Sequence, residues 1–217
     1  MDNRRSTDRI STILFDADGV VQRTQAGWQD ELTGLLGTRA EAEGDAFLAA
    51  IQDAEPVTMD GKTDIAEVMS SVLRDFSITT QVDEVLDLWT RIEPETDVLD
   101  AVQELRRDGI SCCLTTNQQT RRATWMQHNL GYQELFDEQF YSCDLGVAKP
   151  NPAYFTTILE RLDVPARTVL FIDDTEVNIT GARTVPGLHA ELFARGGGRP
   201  ALEEILARYS LATAHAA

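Results

Sequence analysis

Ile13-Leu14-Phe15-Asp16-Ala17-Asp18-Gly19-Val20 is an apolar run that ends in two carboxylates and a glycine. Residues 10–15 read as a buried strand, and its period of two puts Asp16 and Asp18 on the same side of the chain where it leaves the sheet. A turn at Gly19 is then expected to expose both. Two carboxylates at a strand end suit a nucleophile and a metal ion; taken alone, the octapeptide also fits a turn carrying two solvated aspartates. A helix-loop-helix calcium site fits poorly, because its glycine belongs at the sixth loop position, whereas Gly19 is fourth counted from Asp16.

Three later segments repeat the design. Cys112-Cys113-Leu114-Thr115-Thr116-Asn117 is an apolar run ending in hydroxyl and amide side chains, and Gly146-Val147-Ala148-Lys149-Pro150-Asn151-Pro152 sets a lysine just before a helix start. Val169-Leu170-Phe171-Ile172-Asp173-Asp174 again ends in paired carboxylates. In this order the four segments resemble the four motifs of the haloacid dehalogenase-like superfamily, whose members are mostly phosphatases. The resemblance covers about residues 10–195, nearly the whole chain.

The bulk properties narrow the class. With 217 residues the chain is long enough for one full domain and a smaller inserted one. No apolar run approaches the ~18 residues of a membrane span, and residues 1–9 are polar and charged, so neither a membrane partner nor export is expected and the cytoplasm is the expected location. Three cysteines, two of them adjacent on an expected buried strand, read as reduced structural thiols. A formal charge of −17 opposes a nucleic-acid partner, since a phosphate backbone needs a basic track. A small anionic substrate remains compatible if a bound cation and Lys149 draw it in. His128 and His189 stand apart without metal-ligand spacing, and His215 in the tail 212–217 has no visible role. Whether the chain is a monomer or a homodimer is left open.

From residue 94 onward helix and strand signals alternate, as a parallel sheet with crossover helices requires. Strands are expected at residues 110–115, 139–142, 168–172 and 188–193, and helices around residues 98–105, 121–130 and 177–184, with another opened by Asn151 as cap and Pro152 at its first position. Gly196, Gly197 and Gly198 with Arg199 and Pro200 lack the lysine and hydroxyl of a nucleotide-binding loop and read as a surface turn. Residues 25–92 read differently: Trp28, Leu32, Leu36, Phe47, Ile51, Met69, Val72, Leu86 and Trp89 recur at helical spacing, giving four helices and no strand. The expected fold is α/β, a doubly wound, Rossmann-like parallel sheet from residues 1–24 and 93–217 with an inserted α-helical cap at residues 25–92. The site then falls at the carboxyl ends of the strands. The position of the insertion resembles the helical cap of the superfamily's subfamily I, which acts on small molecules.

The resemblance also implies roles. Asp16 corresponds to the nucleophile that forms an aspartyl-phosphate, and Asp18 to the residue that protonates the leaving oxygen and then activates water, for which a raised pKa is expected. Thr116 corresponds to a phosphate-holding hydroxyl, Asn117 is expected to reach substrate, and Lys149 to offset charge on nucleophile and phosphoryl group. Asp16, the backbone carbonyl of Asp18, and Asp174, with Asp173 through water, would hold one Mg²⁺, and Asn178 would brace that loop. Haloacid dehalogenases generally lack the second aspartate and need no metal, so Asp18, Asp173 and Asp174 favour the phosphatase side. The fourth-motif region and Tyr141-Ser142-Cys143-Asp144-Leu145-Gly146 look closest to the branch of sugar-1-phosphate phosphatases and epoxide hydrolase N-terminal phosphatase domains. The expected activity is Mg²⁺-dependent hydrolysis of a small phosphorylated metabolite, with a sugar phosphate among the candidates. A phosphomutase of the β-phosphoglucomutase kind and a non-catalytic binding or regulatory module on the same scaffold are the alternatives.

Overall fold

A computed structural model of the chain describes residues 9–211. Of the polar stretch 1–9 only Arg9 is included, and the tail 212–217 with His215 lies outside the described residues. Among the described residues there are seven strands: β1 Thr12–Phe15, β2 Gln22–Thr24, β3 Ile92–Pro94, β4 Ser111–Thr116, β5 Glu138–Tyr141, β6 Val169–Asp173 and β7 His189–Leu192. Five of them form a parallel sheet in the order β5-β4-β1-β6-β7, with Phe15 beside Leu114 on one side and Ile172 on the other. The chain builds outward from β1 to β5 and then crosses back to β6 and β7, so the order reverses around the end of β1, where open α/β sheets form their ligand crevice.

The sheet is covered on both faces, which is why its inner strands β1 and β6 are buried along their whole length without polar alternation. Ile13, Phe15, Cys112, Leu114, Leu170 and Ile172 pack on one side with Val98 and Val102 of the helix Thr96–Arg107 and Met126 of Thr120–Asn129. Leu14, Cys113, Val169 and Phe171, the alternate residues of the same strands, pack on the other with Phe155 and Ile158 of Pro152–Leu162 and Ile179 of Glu176–Arg183. Each fully buried Ile, Leu or Phe side chain contributes about 1.5–3 kcal/mol relative to exposure. The Asn151 side chain accepts a hydrogen bond from the Ala153 amide at 3.0 Å, and Pro152 opens that helix as expected.

Two expectations are corrected. The surface turn at Gly196 to Gly198 leads directly into a helix, Gly198–Arg208, which buries Leu202, Ile205 and Leu206 against the sheet layer. Three glycines and Pro200 mask its start, yet the apolar spacing from Leu202 onward is helical. The segment read as strandless also ends in a strand. It holds the helices Trp28–Gly34, Ala40–Ala54, Ile65–Asp75 and Val82–Leu86 around their own core of Leu32, Phe47, Met69 and Leu86. However, Ile92 begins β3, which pairs antiparallel with β2 so that Thr24 faces Ile92. Arg23 holds this ribbon together by reaching Glu93 at 2.7 Å and Glu95 at 2.6 Å.

Candidate active site

Asp16 follows the last residue of β1, and its amide completes the ladder by donating to the Ile172 carbonyl at 2.9 Å. The adjoining β6 carries Asp173 at its end, fully buried. Lys149, on the loop before the helix Pro152–Leu162, lies between them: its Nζ donates to Asp16 Oδ1 and Asp173 Oδ2, both at 2.6 Å, and to the Thr115 carbonyl at 3.1 Å. Asp16 is therefore buried rather than exposed by the Gly19 turn, because a buried ammonium holds it inward. Burial opposes the charge on Lys149, but Asp16 and Asp173 outweigh it and raise its pKa, so the ammonium is retained. Burial pushes Asp16 up to about 8; Lys149 pulls it down, while Asp173 and Asp18 push it further up. One lysine facing two buried carboxylates leaves a local excess of negative charge.

That excess grows at Asp174. Carboxylate oxygens of Asp16, Asp173 and Asp174 lie within 4.8 Å of one another. Three clustered carboxylates, with one ammonium against two of them, offer hard oxygen donors that fit Mg²⁺ or a similar ion. Asp173 has both oxygens engaged, by Lys149, by the Thr175 amide at 2.8 Å and by Asn178 Nδ2 at 3.1 and 3.2 Å. Asp174 accepts from the Thr175 hydroxyl and from Arg195 Nε, a guanidinium largely exposed to solvent. Gly19 makes room for this group. Its φ is +88°, and a Cβ there would overlap the Asp174 carboxylate, so the glycine is needed both for the turn and for the close approach.

Of the second-motif residues, Thr115 donates its hydroxyl to the Phe15 carbonyl at 3.1 Å, tying β4 to β1. Thr116 is buried at the strand end, its hydroxyl accepting from Gln118 Nε2 at 3.1 Å. Asn117 differs from expectation. Its Nδ2 donates to the Lys149 carbonyl and its Oδ1 accepts from the Lys149 amide, both at 2.9 Å, so the side chain expected to reach substrate is engaged in bracing the lysine loop. Cys112 and Cys113 are buried and unpaired, and burial pushes both thiols up, which leaves them structural.

The largest correction concerns Asp18. Arg122, in the helix Thr120–Asn129, grips its carboxylate with both arms, Nη1 to Oδ2 at 2.6 Å and Nη2 to Oδ1 at 2.8 Å. Gln22 and Gln118 add further donors at 3.0 and 2.8 Å. Burial pushes the Asp18 pKa up, but the Arg122 charge and hydrogen bonds outweigh it, with Gln22 and Gln118 assisting, and the result is a pKa below the ordinary carboxylate value. Arg122 also donates Nε to the Trp89 carbonyl at 2.7 Å, linking Asp18 to the end of the helical insertion. Trp89 Nε1 in turn donates to Glu55 Oε1 at 2.9 Å. Burial raises the Glu55 pKa, Trp89 and Arg122 oppose the rise, and Asp18 adds to it. Neither Arg122 nor Glu55 was singled out by motif. The available signal for Arg122 was helix phase, since it lies on the side that buries Ala123 and Met126 while Arg121 faces Asp83 and Asp87 on the exposed side.

A five-stranded parallel core with acidic strand ends and a helical insertion after the first of them defines a class of hydrolases. Residues 10–185 match the haloacid dehalogenase-like hydrolase family, and the chain belongs to it. It is 31% identical over 200 residues to Phosphatase MT3486 of Mycobacterium tuberculosis, covering 87% of this chain and 89% of that one. It is 34% identical over 98 residues to Ribulose-1,5-bisphosphate 5-phosphatase of Halopiger xanaduensis, a match spanning 45% of this chain and 41% of that protein. Among solved structures, the fold is shared with the HAD family enzyme BT-2542 of Bacteroides thetaiotaomicron in complex with magnesium and inorganic phosphate, at TM-score 0.72 and 20% identity, covering 89% and 98% of the two chains. L-2-haloacid dehalogenase of Xanthobacter autotrophicus shares it at TM-score 0.65 and 20% identity, covering 94% and 84%.

Proposed function

We propose that this hydrolase is a Mg²⁺-dependent phosphatase of a small phosphorylated metabolite, acting through an aspartyl-phosphate on Asp16. The observation that carries the reading is the junction of Asp16, Lys149, Asp173 and Asp174, in which a buried carboxylate is fixed by an ammonium at 2.6 Å and flanked by further carboxylates. The phosphatase relative and the magnesium and phosphate bound by the structural neighbour support it. Asp16, Asp174 and the Asp18 carbonyl would hold the ion, with Asp173 behind them. When bound, Mg²⁺ neutralises charge on the nucleophile and on the phosphoryl oxygens.

This chain's own groups account for the remaining steps. Lys149 engages Asp16 Oδ1, and no hydrogen bond among the described residues reaches Oδ2, which is free to attack phosphorus. Lys149 and the Thr116 hydroxyl then steady the phosphoryl oxygens. Asp18 gives a proton to the departing oxygen and, now charged, takes one from the water that cleaves the aspartyl-phosphate. Bound to Arg122 it is held in the charged form suited to the second half, so its acid role requires the grip to loosen as substrate enters. Residues 25–92 act as the cap that excludes water and selects the leaving group. Three unpaired cysteines agree with a reducing compartment such as the cytoplasm.

The test is a panel of phosphorylated metabolites assayed with Mg²⁺, following free phosphate and the organic product together. Phosphate release supports the reading. An isomerised phosphoester without free phosphate would mark a phosphomutase, and inertness toward every phosphoester would mark a binding module.

A further inference from the structure

A cavity of about 180 Å³ lies between the core and the helical insertion, with Asp18, Arg122, Glu55, Trp28 and Trp89 among its lining. If Asp18 serves the leaving oxygen, as the phosphatase reading requires, the leaving group occupies this cavity. At ~30 Å³ per water its volume corresponds to roughly six water-sized groups, the size of a short polyol or a small sugar. The two tryptophans meet edge to face at 6.3 Å and offer an apolar wall to C–H groups.

The charges on the wall are unbalanced. Arg122 is the one cation among the described lining residues, and it is engaged by Asp18 through both arms, by Gln118 Oε1 at 3.0 Å and by the Trp89 carbonyl. Four of its five N–H groups are thereby engaged. Facing it, Glu55 has one oxygen on Trp89 Nε1 and a second that receives no hydrogen bond among the described residues. A hydroxyl on the leaving group finds an acceptor there. A second phosphate or a carboxylate finds two acidic side chains against a single arginine that must also serve Asp18, and desolvating an underpaired anion is costly.

We propose that Glu55 is the specificity-determining residue of the cavity, and that the substrate is a single-phosphate ester of a compact, uncharged, hydroxyl-bearing alcohol. The proposal rests on the phosphatase reading. It also separates this chain from a relative named for a bisphosphate substrate, with which it shares only part of its length.

The test compares a pentose monophosphate, the corresponding bisphosphate and p-nitrophenyl phosphate on the full chain with Mg²⁺. Wild-type kcat/KM should favour the monophosphate over the bisphosphate by at least about tenfold. Glu55→Gln keeps the shape and an acceptor but removes the charge, so this ratio should fall by about threefold or more. Glu55→Ala, which removes the acceptor as well, should raise KM for the monophosphate more than it lowers kcat. Independently of turnover, the free pentose should raise the Tm of the wild-type protein, and less so that of Glu55→Ala. Equal use of mono- and bisphosphate, or a ratio unmoved by Glu55→Gln, overturns the proposal while leaving the phosphatase reading intact. Failure to hydrolyse even p-nitrophenyl phosphate removes both.

Discussion

Arg122→Met tests whether the grip on Asp18 is an energetic element of the site. The substitution keeps an unbranched side chain but deletes two of the four donors that reach the Asp18 carboxylate and the donor to the Trp89 carbonyl. Removing one partner of a buried pair costs about 3–5 kcal/mol. Because the Asp18 side chain keeps 36% of its exposure, water replaces part of the loss, and about 2–3 kcal/mol is expected. For a chain of this length that is a fall in Tm of roughly 5–10 °C. Urea unfolding of wild type, Arg122→Met, Asp18→Asn and the double variant isolates the pair, with a coupling of about 2 kcal/mol expected.

The pH dependence carries a sign. Asp18 has a folded-state pKa below its unfolded value, so the unfolded chain takes up its proton first as pH falls. The advantage of wild type over Arg122→Met is thus complete at neutral pH, begins to shrink near pH ~4 and disappears below the folded-state value. A coupling under about 0.5 kcal/mol, or an advantage that grows on acidification, would refute the reasoning.

Asp16→Asn should fold normally by circular dichroism yet lose turnover by about 10⁴-fold or more; activity near wild type would sink the assigned nucleophile. Chelation should silence phosphate release and Mg²⁺ restore it, whereas Ca²⁺ should support little, because it accepts extra oxygen ligands and can capture both Asp16 oxygens. Full activity in excess chelator contradicts the metal assignment. Gly19→Ala should lower stability by about 1–3 kcal/mol through its positive φ and raise the Mg²⁺ concentration giving half-maximal activity, because its Cβ displaces Asp174; an unchanged metal titration argues against Asp174 as a ligand. Asp18→Asn should impair an alkyl phosphate more than p-nitrophenyl phosphate, whose leaving group needs less protonation. Equal, small losses in steady-state and single-turnover assays would place the general acid elsewhere.

The central strands β1, β4 and β6 were legible because each is an apolar run punctuated by polar residues at its carboxyl end, as Phe15-Asp16 and Ile172-Asp173 show. The helical insertion was legible from its period. The helix Gly198–Arg208 was not, since glycine and proline at its start outweigh the later Leu202, Ile205, Leu206 spacing. At the site, short-range chemistry was readable and long-range pairing was not. Asp18 lies 104 residues from Arg122 in sequence, and helix phase, which separates Arg122 from Arg121, does not name the carboxylate that a buried arginine will meet. The pKa expectation for Asp18 was therefore reversed by a partner that only the fold supplies. The bracing role of Asn117 was hidden for a similar reason: its reciprocal bonds to the Lys149 backbone span 32 residues.

The ribbon of β2 and β3 bears on how such a protein can be remade. The chain departs for its helical excursion at Thr24 and returns at Ile92, and these residues are cross-strand neighbours. Opposed residues on antiparallel strands lie about 4.5–5.5 Å apart, a gap that a two-residue turn such as Asn-Gly closes. Everything between them can in principle be excised, shortened or replaced by a foreign segment without altering where the central strands begin and end. If the insertion selects the substrate as proposed, recombination at this junction exchanges that preference as a cassette, while Asp16, Asp18, Asp173 and Asp174 stay in a part of the chain that the splice does not touch.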